Sequence, residues 1–326
     1  MVNNHEAVET AELKPVKVNV PKPFIVANTE EVSLIDVQHK HIIPVYVKDN
    51  EPLISHYDFI QEVYEVSKLY YGYEDVNEPI VRVSHPIKGR VPDARNKPAM
   101  ELLEFEKTLD YERMMFIIEV PGNCEEVGGN NLTLTIGGVK GYNLDNLYNK
   151  KGSLEHFKVF VGFKNSVCTN LCVSTDGLLA DLRVNSKEEL RNKVHELLGN
   201  YQAMDHLEKL QNLVNYELSD KQFAQLIGRC RLYQYLSIQE RHNLGIGSLQ
   251  FGDQQLSSIC KDYYRDESFC RSGHGSINLW KLYNLFTSAN KSSYIDSFLE
   301  KSANAENFVL SLQSAMDGKE QNWFLQ

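Results

Sequence analysis

The chain changes its hydrophobic period near residue 185, and this change most strongly constrains its fold. Before this point, apolar and polar residues alternate in residues 132–136 (Leu-Thr-Leu-Thr-Ile) and in residues 157–163, with the period of two that is typical of half-buried β-strands. After it, Leu190, Val194 and Leu197 recur at helical spacing. A group of strands followed by a group of helices, without regular alternation of the two, predicts an α+β fold.

The strand patterns follow one another closely and leave little room for crossover helices. Residues 114–120 are an apolar run, and the turn residues 128–131 (Gly-Gly-Asn-Asn) separate them from residues 132–136, so the two runs are predicted to form a hairpin. Residues 166–175 and 178–184 are further candidate strands. We therefore predict a central mixed or antiparallel sheet.

Helical periodicity dominates the last third of the chain. Ser186 and Glu189 fit a capping box at a helix start, and Ser219 begins a second helix that ends near Leu236. The pattern through residues 207–214 continues the first helix or resumes after it. Further helices are predicted over residues 256–264, 278–289 and 294–316.

The first third has weaker signals. Residues 57–71 and 99–111 are predicted helices, and Pro44 restricts residues 42–47 to a short or edge strand. We expect a flexible arm over residues 1–23, an α+β core domain over 24–185, and a helical region over 186–326 that packs on the core.

Residues 84–98 are the least regular segment, because three prolines and one glycine fall within 15 positions. This composition argues against a helix or a central strand and predicts a loop. The basic residues of the segment are Lys88, Arg90, Arg95 and Lys97. Basic side chains on a backbone pre-ordered by prolines suit phosphate, so these four are candidates for a nucleic-acid contact. The alternative is a solvated connector whose basic residues pair with carboxylates such as Glu101 or Glu104.

A second candidate segment, residues 136–143, combines three glycines with Lys140 and Tyr142. It lacks the Gly-Lys-Ser/Thr ending of a Walker loop and the Gly-x-Gly-x-x-Gly pattern of a dinucleotide site. One interpretation is a loop that approaches a ligand, with Tyr142 stacked on a base. The other is a simple turn after a strand.

The cysteines and histidines give no metal or catalytic motif. Cys168 and Cys172 lie four residues apart, about 13 Å on an extended strand, so a shared zinc ion would require a bend; buried apolar cysteines are the simpler interpretation. Cys270 and His274 have no evident third group to orient them. We therefore predict no cofactor, no metal site and no catalytic residue, and we rank an enzyme last among the function classes.

Charge is spread unevenly over a chain whose formal net charge is −10. Residues 1–80 hold 14 acidic and 6 basic residues, residues 81–200 hold 16 of each, and residues 201–326 hold 14 and 12. This balance argues against bulk binding of nucleic acid and leaves the middle third as the place for a basic patch. The acidic first third is a solvating arm or a mask over that patch.

The same composition predicts a cytoplasmic protein. No apolar run approaches the roughly 18 residues that a membrane-spanning helix needs. The polar, acidic first ten residues lack the pattern of a signal peptide, so reduced thiols are expected for the six cysteines.

Six stretches of the chain together carry a resemblance to a known family. They are Arg90-Val-Pro-Asp-Ala-Arg-Asn-Lys-Pro98, Tyr111-Glu-Arg-Met-Met115, Leu134-Thr-Ile-Gly-Gly-Val-Lys140, Tyr142-Asn-Leu-Asp-Asn-Leu147, Phe157-Lys-Val-Phe-Val-Gly-Phe163 and Val167-Cys-Thr-Asn-Leu-Cys172. Together they resemble an uncharacterised family of Bacteroidetes mobile elements, known as a domain of unknown function, over nearly the full length. This resemblance implies an accessory protein of mobile DNA and brings no catalytic residue with it.

Two shorter stretches resemble a phage- and plasmid-associated family more distantly. Residues 167–170 (Val-Cys-Thr-Asn) are similar to its Val-Cys-x-Asn-Thr motif, and residues 280–287 (Trp-Lys-Leu-Tyr-Asn-Leu-Phe-Thr) to its Trp-x-x-x-Asn-Ala-x-Thr helix. Leu171 and Leu285 stand where that family has threonine and alanine.

Two hypotheses of function follow. The first is a single-strand nucleic-acid binder or annealing factor that forms oligomers, with Lys88, Arg90, Arg95, Lys97, Lys140 and Tyr142 at the rim of a sheet. The second is a protein-interaction or regulatory module that acts on host or element proteins without touching DNA. The 17 tyrosines of the chain fit the second, because tyrosine is enriched at interfaces.

Overall fold

The computed structural model describes residues 22–40, 43–44, 54–94, 96–144, 154–244 and 248–326. Its strands are β1 (Glu30–Val32), β2 (Ile43–Pro44), β3 (Ile80–Val83), β4 (Pro86–Arg90), β5 (Lys107–Tyr111), β6 (Arg113–Val127), β7 (Asn130–Gly141), β8 (Glu155–Asn165), β9 (Leu171–Cys172), β10 (Leu178–Val184), β11 (Glu217–Leu218) and β12 (Ile277–Asn278). Its α-helices are α1 (Leu34–Lys40), α2 (His56–Tyr71), α3 (Lys187–Asn200), α4 (Ala203–Asn212), α5 (Asp220–Tyr233), α6 (Ile238–Asn243), α7 (Asp253–Arg265), α8 (Leu279–Asn290) and α9 (Ile295–Met316). Most of the expected arm, residues 1–21, lies outside the described residues, as do Arg95 and residues 45–47.

The main sheet is antiparallel and curls into a half-barrel, with the strand order β1-β3-β6-β7-β8-β10 and with β9 paired to β8. The α+β prediction is confirmed, and of the two predicted sheet types the antiparallel one is found. The predicted hairpin is β6 and β7, which turn through Gly128 and Gly129 with φ angles of 56° and 79°. Glycine adopts these left-handed angles without the Cβ clash that other residues meet there.

Three short strands form a second sheet in the order β2-β4-β5. The residues of β4 are predicted as part of a loop, and those of β5 as part of a helix. The loop predicted over residues 84–98 is wrong for residues 86–90, because these form β4, the middle strand of this sheet. The helix predicted over residues 99–111 is also wrong, since Ala99–Glu101 and Glu104–Glu106 form single 3-10 turns and β5 follows them. Pro86 is tolerated because it begins β4, where its missing N–H costs least.

Two further segments of the middle region differ from prediction. Of the candidate strand over residues 166–175, only β9 forms, because the chain turns at Thr169, whose φ is 58° and whose N–H donates to Asn165 O at 2.8 Å. Residues 136–143 form neither a ligand-binding loop nor a turn directly after Ile136, since β7 continues to Gly141. Gly138 is needed there for packing, because a Cβ would lie 2.5 Å from the Phe59 ring of α2.

The helices of the last third lie close to their predicted positions. Ser186 and Ser219 cap α3 and α5, with each side chain accepting a hydrogen bond from a backbone N–H three residues on. Tyr201 and Gln202 separate α3 from α4, so the pattern through residues 207–214 belongs to a new helix. No helix within the described ranges is both long enough and apolar enough to span a bilayer.

Both faces of the main sheet are covered where its central strands run. On one face, Phe116 and Phe157 contact Phe59 of α2, with ring centroids 5.2 and 4.8 Å apart. On the other, Phe160 packs in one cluster with Phe298 of α9, together with Phe24, Ile25 and other apolar residues. The centre of the sheet therefore offers no open surface on which nucleic-acid bases could stack.

Candidate functional site

The basic residues predicted from residues 84–98 do not converge on one exposed surface. Lys88 is exposed on β4, whereas Arg90 is only 2% exposed and donates through Nη1 to Lys97 O at 2.6 Å. Lys97 pairs with Glu106 at 2.6 Å. Arg95 lies outside the described residues. Arg90 and Lys97 thus help to hold the small sheet together, and their contact with phosphate stays a prediction.

The two residues predicted from residues 136–143 lie inside the protein. Lys140 is 0% exposed and forms an ion pair with Glu155, the first residue of β8. The other oxygen of Glu155 accepts a hydrogen bond from Ile54 N at 2.7 Å. Tyr142 is buried, and its ring centroid lies 4.8 Å from that of His56. Neither side chain is placed to meet a nucleic-acid base at the surface.

These residues belong to an inner polar cluster made of His56, Asp110, Lys140, Tyr142 and Glu155. It lies where α2 begins, where β5 and β7 end, and where β8 starts. The Nε2 atom of His56 lies 2.7 Å from Tyr111 O and 3.8 Å from the Asp110 carboxylate. Burial raises the pKa of the Asp110 carboxyl from 3.8 to about 7, against the opposing effect of the hydrogen bond from Tyr111 N.

The inner polar cluster can hold a proton close to neutral pH. A carboxyl that titrates near pH 7 is a property shared by catalytic acids and by buried structural groups. The sequence gives no signal for the cluster, because its members are separated by up to 99 positions and carry no motif spacing. We assign it a structural role, since Asp110 and Lys140 are fully buried.

The structure joins the two motifs that resemble the phage- and plasmid-associated family. Asn170 Nδ2 donates to Asn284 O at 3.0 Å, and Asn165 Nδ2 donates to Asn284 Oδ1 at 3.2 Å. Asn284 Nδ2 in turn donates to Trp280 O at 3.0 Å. The three asparagines are fully buried, so this junction fixes the turn between β8 and β9 against α8.

Lys291 extends the junction to the start of the described chain. Its Nζ donates to Cys168 O and, at 2.9 Å, to Thr169 Oγ1, while its own carbonyl accepts from Val26 N at 2.9 Å. Burial lowers the pKa of Lys291 from 10.5 to about 8. Burial raises the pKa of the Cys168 thiol to about 11, so this thiol is not activated as a nucleophile at neutral pH.

A buried row of three polar side chains connects α4 to α9. Tyr201 Oη lies 2.6 Å from His206 Nδ1, and His206 Nε2 lies 2.9 Å from Glu306 Oε2. All three side chains are buried, and burial raises the pKa of Tyr201 far above its usual value. The imidazole lies between a phenol and a carboxylate, and these contacts tie α4 to α9. No group of three or more metal-ligating side chains is found in the part of the chain that the structure describes.

The β5 strand and the turns that lead into it carry exposed apolar residues. Four large apolar residues within ten positions face outward, and we call them the small-sheet surface: Met100, Leu103, Phe105 and Leu109. Met100 is 97% exposed and Phe105 is 77% exposed. A concentration of large apolar side chains at the surface marks an interaction site more often than chance placement does.

A known family matches almost the whole chain. Residues 6–325 match the family described as "Domain of unknown function, B. Theta Gene description (DUF3871)". The chain belongs to the DUF3871 family. No curated protein and no solved structure is significantly similar to it. The predicted membership of a family of unknown function is confirmed, and the expected link to mobile elements stays a prediction.

The small-sheet surface of this DUF3871 chain is the feature that the sequence analysis missed. Leu102, Leu103 and Phe105 suggested one face of a helix, whereas only Leu102 is buried. A weak local signal is Pro98, which favours extended backbone at the residue before it. Even so, exposure depends on how the β4–β5 pair packs, which the local pattern does not contain.

Proposed function

We propose that the protein is an interaction module that associates with a second copy of itself through the small-sheet surface. The observation that carries the proposal is the exposure of Met100, Leu103 and Phe105 in the turns before β5, and of Leu109 on β5 itself. Burying such side chains removes apolar area from water at about 25 cal/mol per Å². Association is the simplest way for a folded chain to gain this free energy.

The position of β5 favours a second copy as the occupant. Among the described residues, β5 is the last strand of the order β2-β4-β5. Its first three residues, 107–109, are exposed or half-buried, whereas Tyr111 O at its end already lies 2.7 Å from His56 Nε2. An edge strand with exposed apolar residues is a template for addition of another strand. Two copies of β5 related by a twofold axis would present the same surface to each other, as in most homodimers.

The charges beside the apolar residues are also compatible with self-association. Glu104 and Lys107 flank Phe105 and pair with each other within one chain. Across a twofold axis, Lys107 of one copy can face Glu104 of the other, so the surface is self-complementary in charge. The net charge of −10 works against association over longer distances, and salt screens this repulsion.

The test compares the molar mass of the wild-type protein with that of a double variant, Met100→Ser with Phe105→Ser, by light scattering across a concentration series. We expect the wild type to form dimers and the variant to remain monomeric, because about half of the apolar surface is lost. Ile238→Ser is the matched control, since Ile238 is 88% exposed on α6, outside the small sheet. A monomeric wild type, or a variant that still dimerises, would contradict the proposal.

Single-stranded nucleic acid is the second candidate ligand, and it would use the same sheet. Lys88 is exposed on β4, and Phe105 is an exposed aromatic ring on which a base could stack. Anisotropy of a labelled single-stranded oligonucleotide tests this hypothesis directly. Binding should weaken with added salt and fall further in Lys88→Ala; no binding at low salt would remove this candidate.

We further propose that this module is a cytoplasmic accessory protein of mobile DNA. The six cysteines are free, which fits a reducing compartment, and the motifs at residues 167–170 and 280–287 resemble those of a phage- and plasmid-associated family. Cell fractionation should recover the protein with soluble cytoplasmic markers. Deleting the gene should lower the frequency of element transfer in matings; an unchanged frequency would count against this setting.

A further inference from the structure

The C-terminal end of α2 carries an aromatic surface that the proposed self-association does not use. We call Leu69, Tyr70 and Tyr73 the tyrosine surface; Leu69 is 68% exposed and Tyr73 is 61% exposed. The opposite end of α2 lies beside the small sheet, where His56 contacts Tyr111 O. The helix has 16 residues, so its two ends lie about 24 Å apart.

The Tyr70 ring of the tyrosine surface is held in place by neighbouring side chains. Tyr70 packs against Tyr71 with ring centroids 4.8 Å apart, and against His195 of α3 at 5.8 Å. Gly72, with a φ of 111°, ends α2 and sets the direction of the chain at Tyr73. Rings that are already ordered lose little entropy on binding, which makes them effective anchors.

The aromatic faces at this end of α2 already bind a cation of the protein itself. Lys68 Nζ lies 3.8 Å from the ring centroid of Tyr64 and 5.9 Å from that of Tyr73. The same amine contacts Glu65 at 3.3 Å. A cation enclosed by tyrosine faces and a carboxylate is therefore an arrangement that this surface favours.

Unpaired carboxylates lie directly after the tyrosines. Glu74, Asp75 and Glu78 are exposed, and none of them has an ion-pair partner among the described residues. They repel phosphate and attract positively charged groups, in keeping with the net charge of the whole chain. Charge complementarity thus selects a basic partner and disfavours nucleic acid or an anionic membrane.

We propose that the tyrosine surface binds an arginine-containing, partly apolar segment of a partner protein. Arginine fits better than lysine, because its planar guanidinium stacks on a tyrosine ring while it bonds to a carboxylate. Leu69 supplies an apolar contact for a neighbouring residue of the segment. This surface is distinct from the small-sheet surface and does not depend on self-association.

The test measures binding of three labelled peptides of equal length to the full chain by fluorescence anisotropy: arginine–leucine, lysine–leucine and glutamate–leucine. We expect the arginine peptide to bind most tightly, the lysine peptide more weakly and the glutamate peptide not at all. Tyr70→Ala with Tyr73→Ala should weaken binding of the arginine peptide by about tenfold or more. Tyr235→Ala, which removes a 79% exposed tyrosine elsewhere, should not change it.

A second set of variants separates this site from general attraction of a basic peptide to an acidic protein. Replacing Glu74, Asp75 and Glu78 by Gln, Asn and Gln should weaken binding and reduce its salt dependence. The matched control replaces Glu125, Glu126 and Glu208 by Gln, three exposed carboxylates near the tip of the β6–β7 hairpin.

Several results would overturn the proposal. They are equal weakening in both carboxylate sets, unchanged binding in the tyrosine double variant, equal affinity for arginine and lysine peptides, and no binding by the wild type. Peptide binding should persist in Met100→Ser with Phe105→Ser. The peptide measurement therefore tests the tyrosine surface whether or not the chain self-associates.

Discussion

The fold controls the charge of Asp110. Its carboxyl is fully buried, and burial raises its pKa from 3.8 to about 7. The folded state therefore holds this proton more tightly than the unfolded chain does. As the pH rises from about 4 to about 7, the unfolded chain loses the proton first, so the free energy of unfolding falls over this range.

The first prediction follows from this fall in the free energy of unfolding as the pH rises. Asp110→Asn removes the ionisable group while keeping its shape, so we expect a higher melting temperature than wild type at about pH 8. The difference should shrink or reverse at about pH 5, where Asp110 is protonated. Thermal unfolding at both pH values tests this, and a wild type and variant with parallel pH profiles would show that Asp110 is not the titrating group.

Asn284 carries the second prediction at this scale. Its amide accepts from Asn165 and donates to Trp280 O, so Asn284→Ala removes both bonds and leaves a buried polar group, Asn165 Nδ2, without its acceptor. Such a group costs about 1–3 kcal/mol, and we expect the free energy of unfolding in urea to fall by about 2 kcal/mol or more. Asn200→Ala, at an exposed position near the end of α3, should change it by less than about 0.5 kcal/mol. Similar effects of the two changes would contradict a stabilising role for the junction.

At the scale of elements, the approach of α2 to the main sheet depends on one missing side chain. A Cβ at Gly138 would lie 2.5 Å from Phe59 Cζ and 2.8 Å from Lys158 O. The helix face and the neighbouring strand would both have to move, which is overpacking of a close-packed core.

The third prediction uses this contact. Gly138→Ala should destabilise the protein by about 1–3 kcal/mol. Gly199→Ala is the control, because a Cβ added at this position of α3 would have no neighbouring atom within 4 Å; it should be neutral or stabilise the helix by about 0.5–1 kcal/mol. Urea unfolding of both variants tests the pair, and a tolerated Gly138→Ala would mean that α2 packs loosely enough on the sheet to admit a methyl group.

Elements with a strong period or a defined cap could be predicted from the sequence, and those that depend on pairing could not. The β6–β7 hairpin has two apolar runs and a glycine turn, and α5 has Ser219 as its cap, so local information was sufficient. The strands β4 and β5 form because each is beside the other. Their prolines and short polar stretches look like a loop or a weak helix when taken one at a time.

At the scale of the whole molecule, the candidate site was the hardest part to predict. Lys140 and Tyr142 have the composition of a ligand-binding segment, yet Lys140 is neutralised by Glu155 on the adjacent strand. Arg90 turns inward to the carbonyl of Lys97. The identity of the basic residues was visible in the sequence, but their exposure is decided by packing between distant elements.

The salt dependence of binding distinguishes the two functions considered for the small sheet, self-association and binding of nucleic acid. Binding of nucleic acid releases counterions and weakens as salt is added. Association of two copies that each carry a net charge of −10 should instead strengthen, because salt screens their repulsion while the apolar contact persists. The two ligands therefore predict opposite trends on the same surface.

The most direct test of the central claim is sedimentation velocity of the wild-type protein at low and at moderate salt, over a series of concentrations. We predict a sedimentation coefficient that rises with concentration from monomer to dimer, with the midpoint at lower concentration in moderate salt. In Met100→Ser with Phe105→Ser, the coefficient should stay at the monomer value. A wild type that remains monomeric throughout, or a dimer that salt dissociates, would contradict the account.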